Sequence, residues 1–266
     1  MERSEQIRRV IPQARRWIPI PLRRGASLAR DINRTVSEAL DTARVLRLDT
    51  VAGWLRADEG MTLFYFAYHP TCTGRLVEIG TFLGKATAWM ASALKTRGSD
   101  ETLVTMDPHR PLSSWDEHYD VHLLQEQCRR IQESTGIAPE DITTYELFLD
   151  NMAGLDLTCY VEPVKARSTE AIEQWDQPIR MLFVDGSHTY EHVLEDLRSW
   201  EPWLSEGGIL CMHDTGCWEG VARAANEHLM TGGRFKKLLF TGNLTAFRKC
   251  VPGMERTTHQ GQAKPL

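Results

Sequence analysis

Five short, nearly continuous apolar runs, most of them followed by a stretch of helical period, constrain this chain more than any other feature. They are 76–80 (LVEIG), 103–107 (LVTMD), 159–164 (CYVEPV), 179–185 (IRMLFVD) and 208–214 (GILCMHD). Runs without polar alternation predict strands buried on both faces, and intervening helical segments of about a dozen residues predict crossovers between parallel neighbours. FKKLLF (235–240) and LTAFRK (244–249), separated by Thr241-Gly242-Asn243, read as a closing antiparallel hairpin. The expected architecture is therefore α/β: a doubly wound, mostly parallel, seven-stranded sheet. From Asp31 to Arg56, Ile32, Val36, Ala39, Leu40, Ala43 and Leu46 recur at three and four, so one amphipathic helix is expected ahead of the sheet. The organisation reads as a basic arm and helical extension over 1–57, a sheet domain over 58–250 and a flexible tail over 251–266.

Composition removes several classes of function. With 42% apolar and 25% charged residues, and MTLFYFAY as the longest apolar stretch, the chain has no run near the roughly 20 residues of a spanning helix. A net charge of 31 − 36 = −5 argues against nucleic-acid binding, which rests on clustered positive charge. The six cysteines contain no CxxC pair, which points away from zinc knuckles and disulfide scaffolds and towards a reducing cytoplasm. Charge is uneven, however: eight arginines against Glu2 and Glu5 give the first 30 residues +6 and leave −11 for the remainder. Pro12, Pro19, Pro21 and the arginine pairs rule out the apolar centre of a secretory signal. RRWIPIPLRR could press Trp17, Ile18 and Ile20 against an anionic membrane for weak contact. The preferred reading is an arm that packs on its own acidic domain or on a second subunit, with a homodimer or higher homo-oligomer expected.

In open parallel sheets, ligands lie beyond the carboxyl ends of the strands. The first such end runs Glu78-Ile79-Gly80-Thr81-Phe82-Leu83-Gly84-Lys85-Ala86-Thr87, an acid followed by two glycines and a helix start. Glycine lets backbone pass close under a ligand, and a helix start offers N–H groups to a carboxylate; a plain tight turn is the structural alternative. The E-x-G-x-x-x-G spacing lacks the third glycine of G-x-G-x-x-G dinucleotide loops, which argues against a nicotinamide oxidoreductase. Asp107 ends the second strand, where an acid can accept ribose hydroxyls or merely cap a loop. Arg167-Ser168 follows the third. The sharpest signal is Asp185-Gly186-Ser187-His188 beside His213-Asp214-Thr215, four polar residues at two adjacent strand ends. Asp185 and Asp214 would converge on a hard cation such as Mg2+, and His188 would take a proton from a hydroxyl. His188 and His192 do not read as a zinc pair, since His188 lies at the turn and His192 on a solvated helix face; His118 and His122 likewise fit an exposed face, Trp200 and Trp203 read as packing, and Glu59 as a helix-starting acid that could reach over the pocket.

LVEIGTFLGKAT, LVTMDPH and LFVDGSHTYEHVLEDLRSWEPWLSEGGILCMHDT together resemble class I S-adenosylmethionine-dependent O-methyltransferases. Within that class they are most similar to the branch of the macrocin and mycinamicin sugar O-methyltransferases and the cephalosporin-hydroxylase-like proteins, over about Asp58 to Lys249. The resemblance implies a Rossmann-like methyltransferase fold that binds S-adenosylmethionine. The loop Glu78 to Gly84, with Gly80, Thr81 and Thr87, would hold the methionine part. Asp107, Pro108 and His109 would lie by the ribose, Arg167 and Ser168 by the adenine, and Asp185 beside the cofactor. It also implies Asp185, Asp214 and the intervening His213 as metal ligands and His188 as general base. The branch usually carries an acid where His213 stands, a departure that implies lower magnesium affinity, a third ligand from elsewhere, or no metal. The implied reaction moves a methyl group to a hydroxyl of a sugar, glycan or glycosylated natural product. A catechol-type small-molecule acceptor and a non-catalytic methyltransferase-fold scaffold are the competing readings.

Overall fold

The computed structural model describes residues 26–115 and 124–251. The basic arm, with its membrane and subunit readings, His118, His122 and the tail from 252 lie outside the described residues. Among the described residues, no helix is long and apolar enough to cross a membrane.

Seven strands form one sheet: β1 (Arg75–Ile79), β2 (Leu103–Met106), β3 (Val161–Val164), β4 (Ile179–Val184), β5 (Leu204–Met212), β6 (Phe235–Thr241) and β7 (Leu244–Lys249). Their order is β3-β2-β1-β4-β5-β7-β6. The first five are parallel and β7 runs antiparallel to both neighbours, so the expected mostly parallel sheet with a closing hairpin is what the chain forms. Alternate strand residues feed two cores, as the two-residue period of a strand requires. Leu76, Met181, Phe183, Ile209 and Cys211 face one; Val77, Leu182, Val184, Leu210 and Met212 face the other. β4 is buried at every position.

The strand expected at 159–164 differs. β3 starts at Val161, and only Val161 is buried. It is the sheet's edge, paired with β2 alone, and Glu162 and Pro163 are residues an edge accepts and a central strand does not. Its crossover is also shorter than expected: a single turn, α7 (Ser168–Ala171), precedes β4.

One face of the sheet is covered by α1 (Ala26–Ala39), α2 (Thr42–Asp49), α3 (Ala57–Tyr68) and α4 (Lys85–Thr96), whose apolar residues share a core with that face. α4 lies beneath the other helices and is buried from Ala86 to Leu94. The opposite face carries α8 (Tyr190–Trp200) and α9 (Glu219–Leu229). Two further helices, α5 (Gln125–Thr135) and α6 (Thr144–Gly154), stand between β2 and β3. The single helix expected over 31–56 is two helices. It begins earlier, at Ala26, and breaks after Ala39, where the Asp41 carboxylate accepts from the Arg44 N–H at 2.7 Å and caps α2. Residues 50–56 are not helical.

Candidate active site

The carboxyl ends of β1, β2, β4 and β5 lie level, because Ile79 pairs with Met106 and Val184, and Val184 pairs with Met212. Backbone bonds continue one step beyond: Gly80 N–H to Met106 O (2.9 Å), Asp185 N–H to Ile79 O (2.8 Å) and His213 N–H to Val184 O (3.1 Å). The next side chains therefore emerge along one edge. Three of the four non-glycine residues with positive φ among those described also lie there, Phe82 (47°), His109 (48°) and Asp214 (59°). Such conformations cost about 1–3 kcal/mol each and cluster at functional sites.

On the β1/β2 side the polar residues are tied to one another. Glu78 is fully buried, and its Oε2 accepts from Thr87 Oγ1 and Thr105 Oγ1, both at 2.5 Å. Thr105 is directly opposite Glu78 in the ladder, so the two share a face; Thr81 Oγ1 also bonds Thr105 Oγ1. Glu78 Oε1 is buried without a partner among the described residues. Burial, opposed by the two threonine hydroxyls, pushes the Glu78 carboxyl up to about 8. Asp107 Oδ2 accepts the N–H groups of Thr81 (3.1 Å) and Phe82 (2.9 Å), and Oδ1 that of His109 (2.7 Å). Asp107 thus organises the loop, whether or not it also meets a ribose. Gly80 has φ +92°, and a Cβ there would lie 2.1 Å from the Asp185 carbonyl oxygen. Its bare Cα makes room for the neighbouring strand end, where the sequence suggested room for a ligand. Buried His109 bonds Thr144 Oγ1 at 3.0 Å and packs on Tyr145 and Phe148. Ser168 is drawn away, its hydroxyl donating to Asp196 and its carbonyl accepting from the Trp200 indole at 3.2 Å. The Arg167 N–H bonds Glu170 Oε2 at 3.0 Å. Pro108 is exposed.

On the β4/β5 side the structure brings Asp185, His188 and Asp214 together, with one donor atom of each within 4.8 Å of the others. His188 Nε2 is 2.8 Å from Asp214 Oδ2, and its ring stacks on Trp218 at 4.6 Å and 16°. Trp218 is half-exposed and the residue immediately before α9. His213, expected among the metal ligands, is 4% exposed and enclosed by carboxylates. Its Nδ1 is 3.2 Å from Asp185 Oδ1 and 3.3 Å from Asp214 Oδ1; its Nε2 is 3.1 Å from Glu59 Oε2. Burial acts to lower its pKa, yet Asp185, Asp214 and Glu59 push it up to about 12. Cys217 Sγ lies 3.1 Å from Asp214 Oδ1. Although its partial burial acts the other way, the hydrogen bonds from His188 and His213 hold the Asp214 carboxyl well below the usual range. Sequence reasoning missed Thr105, Cys217 and Trp218 and gave Glu59 no partner; no local motif signals any of the four.

Residues 77–215 match the model of a methyltransferase-domain family. The chain belongs to that family. Solved structures share the methyltransferase's fold at low identity. The O-methyltransferase TomG from Streptomyces achromogenes, solved with S-adenosylmethionine, matches with TM-score 0.53 and 14% identity over 84% of this chain and 96% of its own. The methyltransferase PaMTH1 from Podospora anserina, solved with S-adenosylhomocysteine, matches with TM-score 0.54 and 12% identity over 87% and 99%. An O-methyltransferase from Bacillus cereus, also solved with S-adenosylhomocysteine, gives 0.53 and 15% over 82% and 97%.

Proposed function

We propose that this methyltransferase uses S-adenosylmethionine to methylate a hydroxyl oxygen, with His188 as general base. The observation that carries the proposal is the Asp214–His188 contact: an acid fixing one imidazole nitrogen is how a base is oriented, and it leaves the other nitrogen to receive a proton. Nδ1 is that nitrogen. When bound, the cofactor supplies an electrophilic methyl group on a positively charged sulfur. Glu78 fits it, since its unpartnered buried Oε1 is an acceptor without a donor and the cofactor's methionine part carries an ammonium group. Gly80 to Gly84, held by Asp107, would frame the same part. Asp214 stabilises the imidazolium that forms when the acceptor hydroxyl gives its proton to His188.

The magnesium implied by the sequence resemblance does not fit this donor set. Asp214 already accepts from His188, His213 and Cys217, and a ring nitrogen stands between the two aspartates. Mg2+ demands near-ideal octahedral oxygen ligation, so no step is assigned to it. This also weakens the catechol-type reading, which needs a cation shared by two acceptor oxygens. Half-exposed Trp218 beside the base suits a sugar ring, the acceptor class of the branch the sequence resembles.

The decisive test is calorimetry of the full chain with S-adenosylhomocysteine, followed by methyl-transfer assays on mono- and oligosaccharides, glycosylated natural products and catechols. Binding with turnover on a glycosylated hydroxyl is expected. Absence of cofactor heat overturns the proposal, and turnover confined to catechols overturns its acceptor class.

A further inference from the structure

His213 and Glu59 are 154 positions apart and meet inside the protein at 3.1 Å. Glu59 is fully buried, and its carboxylate is fixed from three sides. Oε2 accepts the Arg56 N–H at 2.7 Å as well as facing His213; Oε1 accepts the Asn243 N–H at 2.6 Å. The β6–β7 turn is shaped for it: Gly242 has φ +55°, and a Cβ there would lie 2.2 Å from Glu59 Oε1. The partner of this anchored anion is an imidazole with carboxylates against both nitrogens. Carboxylate oxygens stand at hydrogen-bond distance from both ring nitrogens. A ring nitrogen thus stands between Asp185 and Asp214, with the ring fixed from behind by a buried acid.

We infer that the Glu59–His213 pair occupies the place of a divalent cation in this site, so that the chain carries out its reaction without a metal and Glu59 holds the replacing ring in position. The inference rests on the methyl-transfer reading of the site and goes beyond it. A metal between the two aspartates would compete with the His213 ring for Asp185 Oδ1 and Asp214 Oδ1, and with His188 for Asp214 Oδ2. With His213 against Oδ1, Asp214 keeps Oδ2 for orienting the base. The chemistry of the corner becomes that of a hydrogen-bonded acid–imidazole relay, with no Lewis acid.

The test is a titration of the full chain with Mn2+ alone, followed by electron paramagnetic resonance, with Mg2+ calorimetry alongside. Wild type should bind no stoichiometric ion at free metal below about 100 μM. Exchanging the imidazole for an acid and neutralising the acid behind it, in His213→Glu/Glu59→Gln, should create a three-carboxylate site that binds Mn2+ at least about 10-fold tighter than wild type. Chelator-treated wild type should keep its methyl transfer. One Mn2+ bound to wild type and lost in Asp185→Asn overturns the inference, as does a folded double variant without gain. Should the double variant not fold, the wild-type titration decides alone. These titrations need no cofactor, so their failure is distinguishable from that of the methyl-transfer reading, which shows as missing heat with S-adenosylhomocysteine.

Discussion

Both halves of the sheet's carboxyl edge are built around two acids, yet they satisfy them differently. At β1/β2, Glu78 and Asp107 are held by neutral donors: threonine hydroxyls and backbone N–H groups. At β4/β5, Asp185 and Asp214 are held by imidazoles. Neutral donors with fixed hydrogens can shape a loop but cannot take up a proton near neutral pH, whereas an imidazole can. On the proposed reading, the first half frames a ligand and the second moves a proton. Carboxylates along one sheet edge are thus distinguished by the partners that hold them.

The strongest way to break this division is His188→Ala. If the second half moves protons, turnover should fall by about 100-fold or more, the usual worth of a general base. The affinity for S-adenosylhomocysteine, which belongs to the other half, should change by less than about 2-fold. Calorimetry and initial rates on the same preparation check both. Near-wild-type turnover would remove the base, and a matching loss of cofactor affinity would erase the distinction between the halves.

Glu78 sharpens the comparison through pH. Its folded pKa is raised from 4.5 to about 8 by burial. Its contribution to stability is therefore fully present below about pH 4.5 and is lost as pH rises through about 8. The cofactor-free protein should lose Tm between pH 6 and 9 by an amount corresponding to a few kcal/mol at most. Glu78→Gln should flatten that slope. Saturating S-adenosylhomocysteine should flatten it in wild type, because its ammonium favours the ionised carboxylate. Thermal melts across this range, in which wild type and Glu78→Gln run parallel, would contradict the assignment.

Much of the fold was legible because central parallel strands are buried on both faces and leave continuous apolar runs. The errors have local causes. The apolar content of CYVEPV groups it with the central strands although Pro163 marks an edge, and the helical period over 31–56 runs through Asp41, whose side chain caps a new helix. Asp185, His188 and Asp214 could be read as neighbours because topology places adjacent strand ends together. The role of Glu59 could not, since its partner is 154 residues away and its seat depends on a hairpin turn closing over it. Gly80 shows the opposite limit: the sequence reveals the glycine but not that the Asp185 carbonyl is what lies against it.

Ser168 offers the smallest effect and a precise test of where the ligand frame ends. The resemblance places it beside the adenine, while the structure commits its hydroxyl to Asp196, which is 6% exposed and pushed by burial to about 6 despite that hydrogen bond. Losing the hydroxyl leaves the buried carboxylate without its donor, so Ser168→Ala should cost about 1–2 kcal/mol at pH 7.5. Asp196's folded value lies above the unfolded one, so its protonated form is the better tolerated, and the penalty should shrink as pH falls through about 6 towards 4. Cofactor affinity should stay within about 2-fold of wild type, because a group spent on holding α7 against α8 has no hydrogen left to offer an adenine. Denaturant melts at both pH values, with calorimetry at the higher, separate the outcomes. A 10-fold loss of affinity at unchanged stability would move Ser168 back into the ligand frame and extend that frame past the edge strand.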